Sequence, residues 1–159
     1  MKIPQTTIFG NDVILVERLL PVARKRLVSM ADDAPLLNAA RLLRAGIDLV
    51  AACNSEGMLT GVVTKTDIVR QVSDCEGGGC LTAASFVMTR NVVSCYLASN
   101  VQDVWAMMKE RGLKNVPIID NEGRPIGVLN ARDILQLLLH DVQDEELLLR
   151  DYVMGVGYQ

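Results

Sequence analysis

Thr64 and Asp67, in the stretch Gly61 to Asp67 (GVVTKTD), have counterparts sixty-six positions later in Asn130 and Asp133, in Gly127 to Asp133 (GVLNARD). In each copy an apolar strand-like run delivers a hydroxyl or amide side chain and, three residues on, a carboxylate to the start of a helical pattern. The first backbone N–H groups of a helix lack intrahelical partners and the helix dipole favours negative charge there, so such a place binds anions and hydroxyl groups. The same spacing also fits a capping box, in which Thr64 caps the helix and Asp67 reaches back to its backbone N–H. Residue types leave both readings open, and one set of side chains can serve both.

The elements that must position these residues are themselves repeated. Pro35 to Arg44 has proline at its start and Gly46 just past its end, the asymmetry of helix termini; its counterpart runs from Val101 to Arg111 and stops at Gly112. After each helix comes an apolar run (IDLVAAC; LKNVPII), then a turn (NSEG; DNEG), then a second run (MLTGVVT; RPIGVLN), which together read as a hairpin. Gly46/Gly112, Val50/Val116, Glu56/Glu122, Gly57/Gly123, Gly61/Gly127, Val62/Val128, Asp67/Asp133 and Ile68/Ile134 are identical at one constant offset. Upstream, VARKRLVSM (from Val22) matches VMTRNVVSC (from Val87) at an offset of sixty-five, so one residue was gained or lost between strand and helix. In the first copy this segment reads as a turn and a short strand over Leu27 to Ser29.

Each repeat is therefore strand, helix, strand, strand, helix, an α/β (α+β) unit too small to bury its sheet alone. Two copies packed about a pseudo-twofold axis close a common core. The chain divides into an extension (1–21), a first repeat (22–72), a linker (73–86), a second repeat (87–139) and a closing helix and tail (140–159). Within the extension, VILVERLL fits a short helix or a short strand halted by Pro21. The first closing helix is expected over Thr66 to Val72, the second from Ala131 onward.

At 159 residues, half of them hydrophobic, the chain can build one substantial core. A net charge of −3 argues against nucleic acid as a partner, since binding a phosphate backbone needs clustered Lys and Arg. No run approaches the roughly eighteen apolar residues of a membrane span, and the N-terminal stretch lacks a signal-peptide pattern, so the chain reads as cytoplasmic. Cys53 and Cys95 sit in apolar runs and read as buried free thiols. Cys75 and Cys80 lie in DCEGGGC, but with one histidine, His140, in the whole chain a metal site there lacks ligands, and a reactive reduced loop is expected. No Ser/His/Asp or Cys/His arrangement points to an enzyme.

The order of elements, the D/N-x-E-G turn, G-V-V/L, T/N-x-x-D, VMTRNVV and NVPIID together resemble a tandem pair of cystathionine β-synthase (CBS) domains, the Bateman module, over roughly residues 22 to 139. The resemblance implies a regulatory protein that binds adenosyl ligands (AMP, ADP, ATP or S-adenosylmethionine) in clefts between the repeats, with no required cofactor. It implies that Asp67 and Asp133 hold ribose hydroxyls, with Thr64 and Asn130 facing phosphates. Asn130 departs from the family's hydroxyl, and Ala51 stands where the second repeat has the family's Pro117. Arg132 either reaches a phosphate or lies exposed at a helix start. The family geometry puts Asp67 with Leu113, Lys114 and Asn115, and Asp133 with Ile47, Asp48 and Leu49. Thr64 with Lys114 nearby makes the first cleft the better phosphate site, while Asp48 disfavours the second.

The resemblance also implies a homodimer through Leu36, Leu37, Ala39, Ala40, Leu42 and Leu43 and through Val101, Val104, Trp105, Met107 and Met108, since these helices carry more apolar surface than one stripe needs. The output then passes to an effector protein not named by the sequence, or through self-association. The alternative is an assembly module with empty clefts.

Overall fold

Two hairpins related residue by residue form the frame. In the computed structural model, which describes residues 13–74, 82–140 and 150, β2 (Leu49–Cys53) pairs antiparallel with β3 (Leu59–Thr64), and β4 (Asn115–Ile119) with β5 (Pro125–Asn130). Their registers are the same at the sixty-six-residue offset: Leu49 faces Thr64 as Asn115 faces Asn130, and both ladders slip at one place, between Ala52 and Cys53 and between Ile118 and Ile119. The turns match too. Asn54 accepts from the N–H groups of Glu56 and Met58, and Asp120 from those of Glu122 and Arg124, all at 2.9–3.0 Å. Gly57 and Gly123 close these turns at φ +81° and +83°, where a side chain would be strained.

Helix α2 (Leu36–Arg44) precedes the first hairpin and α3 (Lys65–Asp74) follows it; α4 (Val101–Arg111) precedes the second, and residues 131–140 are helical after it. Asn100 caps α4 by accepting from Gln102 N–H at 2.8 Å, and Gly112 ends it in the left-handed conformation. Strand β1 is Ser29–Ala31, two residues later than expected, and runs parallel to β2. In the second repeat the equivalent strand shrinks to one bridge, Cys95 to Ile118, which is the Met30 to Ala52 pair moved by sixty-five and sixty-six residues.

The N-terminal segment departs most from expectation. Leu15 bridges to Asn100, Val16–Leu19 forms a 3-10 turn, and α1 (Leu20–Arg26) follows, so the expected turn at Val22 is helical and crosses the boundary placed after residue 21. Pro21 sits in the first turn of α1, where its missing N–H costs nothing, and begins the helix rather than halting a preceding element. Ile14, Val16, Leu19 and Ala23 pack with Val101, Val104, Met108 and Ile134, inside the second repeat's core. In exchange, Ala84 and Met88, which precede the second repeat's own bridge, complete the core of Leu36, Ala39, Val50 and Val63 in the first. Leu49, Val62 and Val128 form a third cluster with Leu27 and Val92 between the repeats.

This exchange explains Gly61 and Gly127. A Cβ on Gly61 would lie 2.5 Å from the sulfur of Met88, and one on Gly127 would lie 2.9 Å from Cβ of Ala23, the residue that matches Met88 at the sixty-five-residue offset. Each glycine admits the segment that crosses over from the other half, which is the pseudo-twofold arrangement in atomic detail. Of the apolar residues expected to be spare, Leu36, Ala39 and Leu43 are buried in the first repeat's cluster and Val101, Val104, Met107 and Met108 in the second's, while Leu37, Ala40, Leu42 and Trp105 stay half-buried. Ile14, Val16 and Leu19 share the cluster that buries Val101, Val104, Met107 and Met108 of α4. Cys75 and Cys80 fall outside the described residues, as does the chain beyond His140 except residue 150.

Candidate functional site

Thr64 ends β3 and Asp67 lies in the first turn of α3, so strand and helix hold them against each other. One Asp67 oxygen, Oδ2, accepts from Thr64 N–H at 2.9 Å and from the Thr64 hydroxyl at 3.1 Å. The other accepts from the Thr89 hydroxyl at 3.0 Å, and Arg70 stands 3.8 Å away. The carboxylate is 3% exposed. Asp67 thus reaches back to Thr64 N–H as a capping acid does, and it also draws in Thr89 from the segment that crosses between repeats. Thr89, whose backbone exchanges two hydrogen bonds with Val62 (2.8 and 3.0 Å), was missed in the sequence because its link to Asp67 spans twenty-two residues.

Beside this cluster is a cleft of about 420 Å³ lined by Thr64 and Thr66 from the first repeat, by Thr89, and by Leu113, Lys114 and Asn115 from the second; Asp67 itself is not on its wall and stands behind it only through its bonds to Thr64 and Thr89. Leu49, Val62, Val92 and Val93 supply apolar wall. Such a site, apolar with a few convergent polar groups, suits a small ligand with a flat ring and a polar end. Lys114 is exposed at its rim and is the cation that the second repeat brings to Thr64. Leu49, expected beside Asp133, lines this cleft instead, because its side chain sits in the cluster between the repeats.

The equivalent place in the second repeat is built differently. Asn130 caps its helix by accepting from Arg132 N–H at 2.9 Å, while its amide donates to Asn115 Oδ1 at 2.9 Å. Arg132 is exposed. Asp133 is held by Arg26, whose Nε donates to Oδ2 at 2.5 Å and whose Nη2 donates to Oδ1 at 3.0 Å. This two-pronged pair lifts the Arg26 pKa further above its ordinary range, against the opposing effect of burial, and Asp48 adds to the lift. With Arg26 about one-third exposed, its contribution to stability is about 1 kcal/mol or less. The cavity on which Asp133 opens lies between α1 and the final helix, lined by Arg18, Leu19, Val22, Gln136, Leu137 and His140. Ile47 and Asp48 are not on its wall; Asp48 acts on the Arg26 guanidinium through its charge.

The family model for the CBS domain matches residues 16–74 and 83–140, one match on each repeat. The chain belongs to the CBS domain family. It is a tandem CBS pair, and the first match begins at Val16, the first residue of the 3-10 turn. The pair is 32% identical over 96 residues to arabinose 5-phosphate isomerase GutQ of Salmonella typhi, covering 60% of this chain and 29% of that enzyme. The chain therefore matches under a third of that relative's length. Among solved structures, the CBS-domain containing protein ATU1752 of Agrobacterium tumefaciens is 26% identical with a TM-score of 0.68, over 78% of this chain and 98% of the other. The CBS domain pair of protein MJ0100, solved with 5′-methylthioadenosine and S-adenosyl-L-methionine, superposes with a TM-score of 0.68 at 22% identity, over 82% and 99%. Among the described residues no group of three or more His, Cys, Asp or Glu side chains could hold a metal ion, and no helix is long and apolar enough to cross a membrane.

Proposed function

We propose that this CBS pair is a regulatory module that senses an adenosyl ligand, with AMP, ADP, ATP and S-adenosylmethionine as the candidates, and transmits occupancy to an effector protein or through self-association. The observation that carries the reading is the 420 Å³ cleft in which Thr64 and Thr66 of one repeat face Leu113, Lys114 and Asn115 of the other, beside Asp67. A purine fits between the apolar walls, and Lys114 and the α3 N-terminus suit a phosphate or carboxylate. Asp67 engages ribose hydroxyls by exchanging the Thr64 and Thr89 hydroxyls for those of the sugar, a neutral-for-neutral swap at a carboxylate with about four acceptor positions. Support also comes from the MJ0100 pair, of similar fold, which holds two adenosyl compounds.

A thermal-shift panel of AMP, ADP, ATP, NAD and S-adenosylmethionine tests it. Ligand at a hundred times its dissociation constant adds about 2.7 kcal/mol, several degrees for a chain of this size. No shift with any member refutes the reading. The second reading, an assembly module with no nucleotide, is favoured by one observation: both Asp67 oxygens are already satisfied within the chain. The same panel separates the two.

A further inference from the structure

Asp67 and Asp133 descend from one repeated plan, yet the groups that meet them differ in kind, and the cavity on which Asp133 opens is not the repeat counterpart of the cleft beside Asp67. At the sixty-five-residue offset Arg26 corresponds to Asn91 and Arg24 to Thr89. In the first repeat Asp67 is hydrogen-bonded by backbone and hydroxyl groups, with the exposed Arg70 guanidinium 3.8 Å away, beyond hydrogen-bond distance, and Asn91 lies on the wall of the cleft beside it. In the second, Arg26 places a guanidinium across both oxygens of Asp133, and Asp48 stands close enough to favour that charge. A hydroxyl can be traded for a ribose hydroxyl with little change in electrostatics. A guanidinium fork cannot, because charge-assisted, two-pronged hydrogen bonds are about twice as strong as neutral ones and a diol brings no charge to replace the one removed.

We infer that Arg26 is the residue that makes this pair a one-site receptor: it occupies Asp133 as an internal competitor, so that only the Asp67 cleft accepts a diol-bearing ligand. This rests on the adenosyl reading above. Arg26 is the last residue of α1, whose Ala23 is wedged against Gly127 of β5. Arg26, about one-third exposed, acts by occupying both oxygens of Asp133 rather than by holding the fold together.

Calorimetry with AMP, ATP and S-adenosylmethionine as probes decides the matter, comparing the wild-type chain with Arg26→Gln and Arg26→Lys. The expected result is one equivalent bound by the wild type, and a second, weaker equivalent in Arg26→Gln that disappears when Asp133→Asn is added. Arg26→Lys, which keeps the charge and loses the fork, guards against a glutamine variant that does not fold. It is expected to admit the second equivalent at higher probe concentration than Arg26→Gln. In nitrogen-15 spectra the Arg26 Nε–H signal should be protected in the wild type and lost in Asp133→Asn, with no ligand needed. Two equivalents in the wild type, one in every folded variant, or an unprotected Nε–H overturns the inference while leaving the adenosyl reading intact. No binding by any form overturns both.

Discussion

Replacing Gly61 by alanine tests the exchange of segments that builds the molecule. The added Cβ would lie 2.5 Å from Met88 Sδ, 2.7 Å from its Cγ and 2.9 Å from the Thr89 carbonyl oxygen, where ordinary carbon contacts are about 3.5–4.0 Å. Met88 is 7% exposed within the first repeat's core, so it cannot swing into solvent. The Thr89 carbonyl accepts from Val62 N–H at 3.0 Å, one residue from the substitution, so the backbone contact cannot be relieved by a rotamer change. Overpacking of this kind costs about 1–3 kcal/mol, and at about 2–4 °C per kcal/mol the melting temperature falls by about 2–12 °C. Met88→Ala alone leaves a cavity and costs about 2–5 kcal/mol. In the double variant the new methyl partly fills that cavity, so the two losses should sum to at least about 1 kcal/mol more than the measured one. Urea unfolding of the four proteins supplies the cycle. Losses that add within about 0.5 kcal/mol, or a Gly61→Ala protein that melts with the wild type, would refute the crossing geometry.

Three further outcomes are expected. Asn100→Ala removes the buried cap of α4 and costs about 1–2 kcal/mol in denaturant unfolding, while Ser99→Ala, one residue earlier, costs less. Burial pushes the Cys95 thiol up to about 12, whereas an unfolded thiol titrates near 8.5. Above that lower value the unfolded state binds fewer protons than the folded one, so stability should fall as pH rises from about 9 toward 12, by up to about 1.4 kcal/mol per unit, and Cys95→Ala should remove this component of the slope. Sedimentation at micromolar concentration should show a dimer; Val69 (63% exposed), Val72 (71%), Leu135 and Leu139 are the apolar side chains that the chain leaves uncovered on its closing helices, so charged substitutions at Val69 and Leu135 should dissociate it. A monomeric wild type would remove the dimer from the account.

The hairpins and helix ends were legible because they are set by local chemistry: Asn54 and Asp120 fold their own turns, and glycine at 57 and 123 takes a backbone conformation that side chains resist. α1 was not. Seven residues are too few to hold a helix on their own, however helix-favouring their side chains, and what makes them helical is packing on β5 in the far repeat. The same holds for the cluster that buries α4, which draws on Ile14, Val16 and Leu19. Of the site, the Thr64 and Asp67 step was visible as a spacing, and the company of Lys114 followed from the family resemblance. The Arg26 and Asp133 pair bridges 107 residues and leaves no local mark in the sequence. Its one trace is the repeat itself, which sets a charged Arg26 against a neutral Asn91.

The proposed ligand site is the cleft beside Asp67. Titration calorimetry of wild type, Asp67→Ala and Asp133→Ala with the best ligand from the thermal-shift panel tests it most directly, each variant first checked for a cooperative melt. Loss of charge-assisted bonds to the ribose at about 1.5–3 kcal/mol predicts a ten- to hundredfold weaker Kd for Asp67→Ala, with Asp133→Ala within about threefold of wild type. Equal losses in the two variants, or a larger loss in Asp133→Ala, would contradict it.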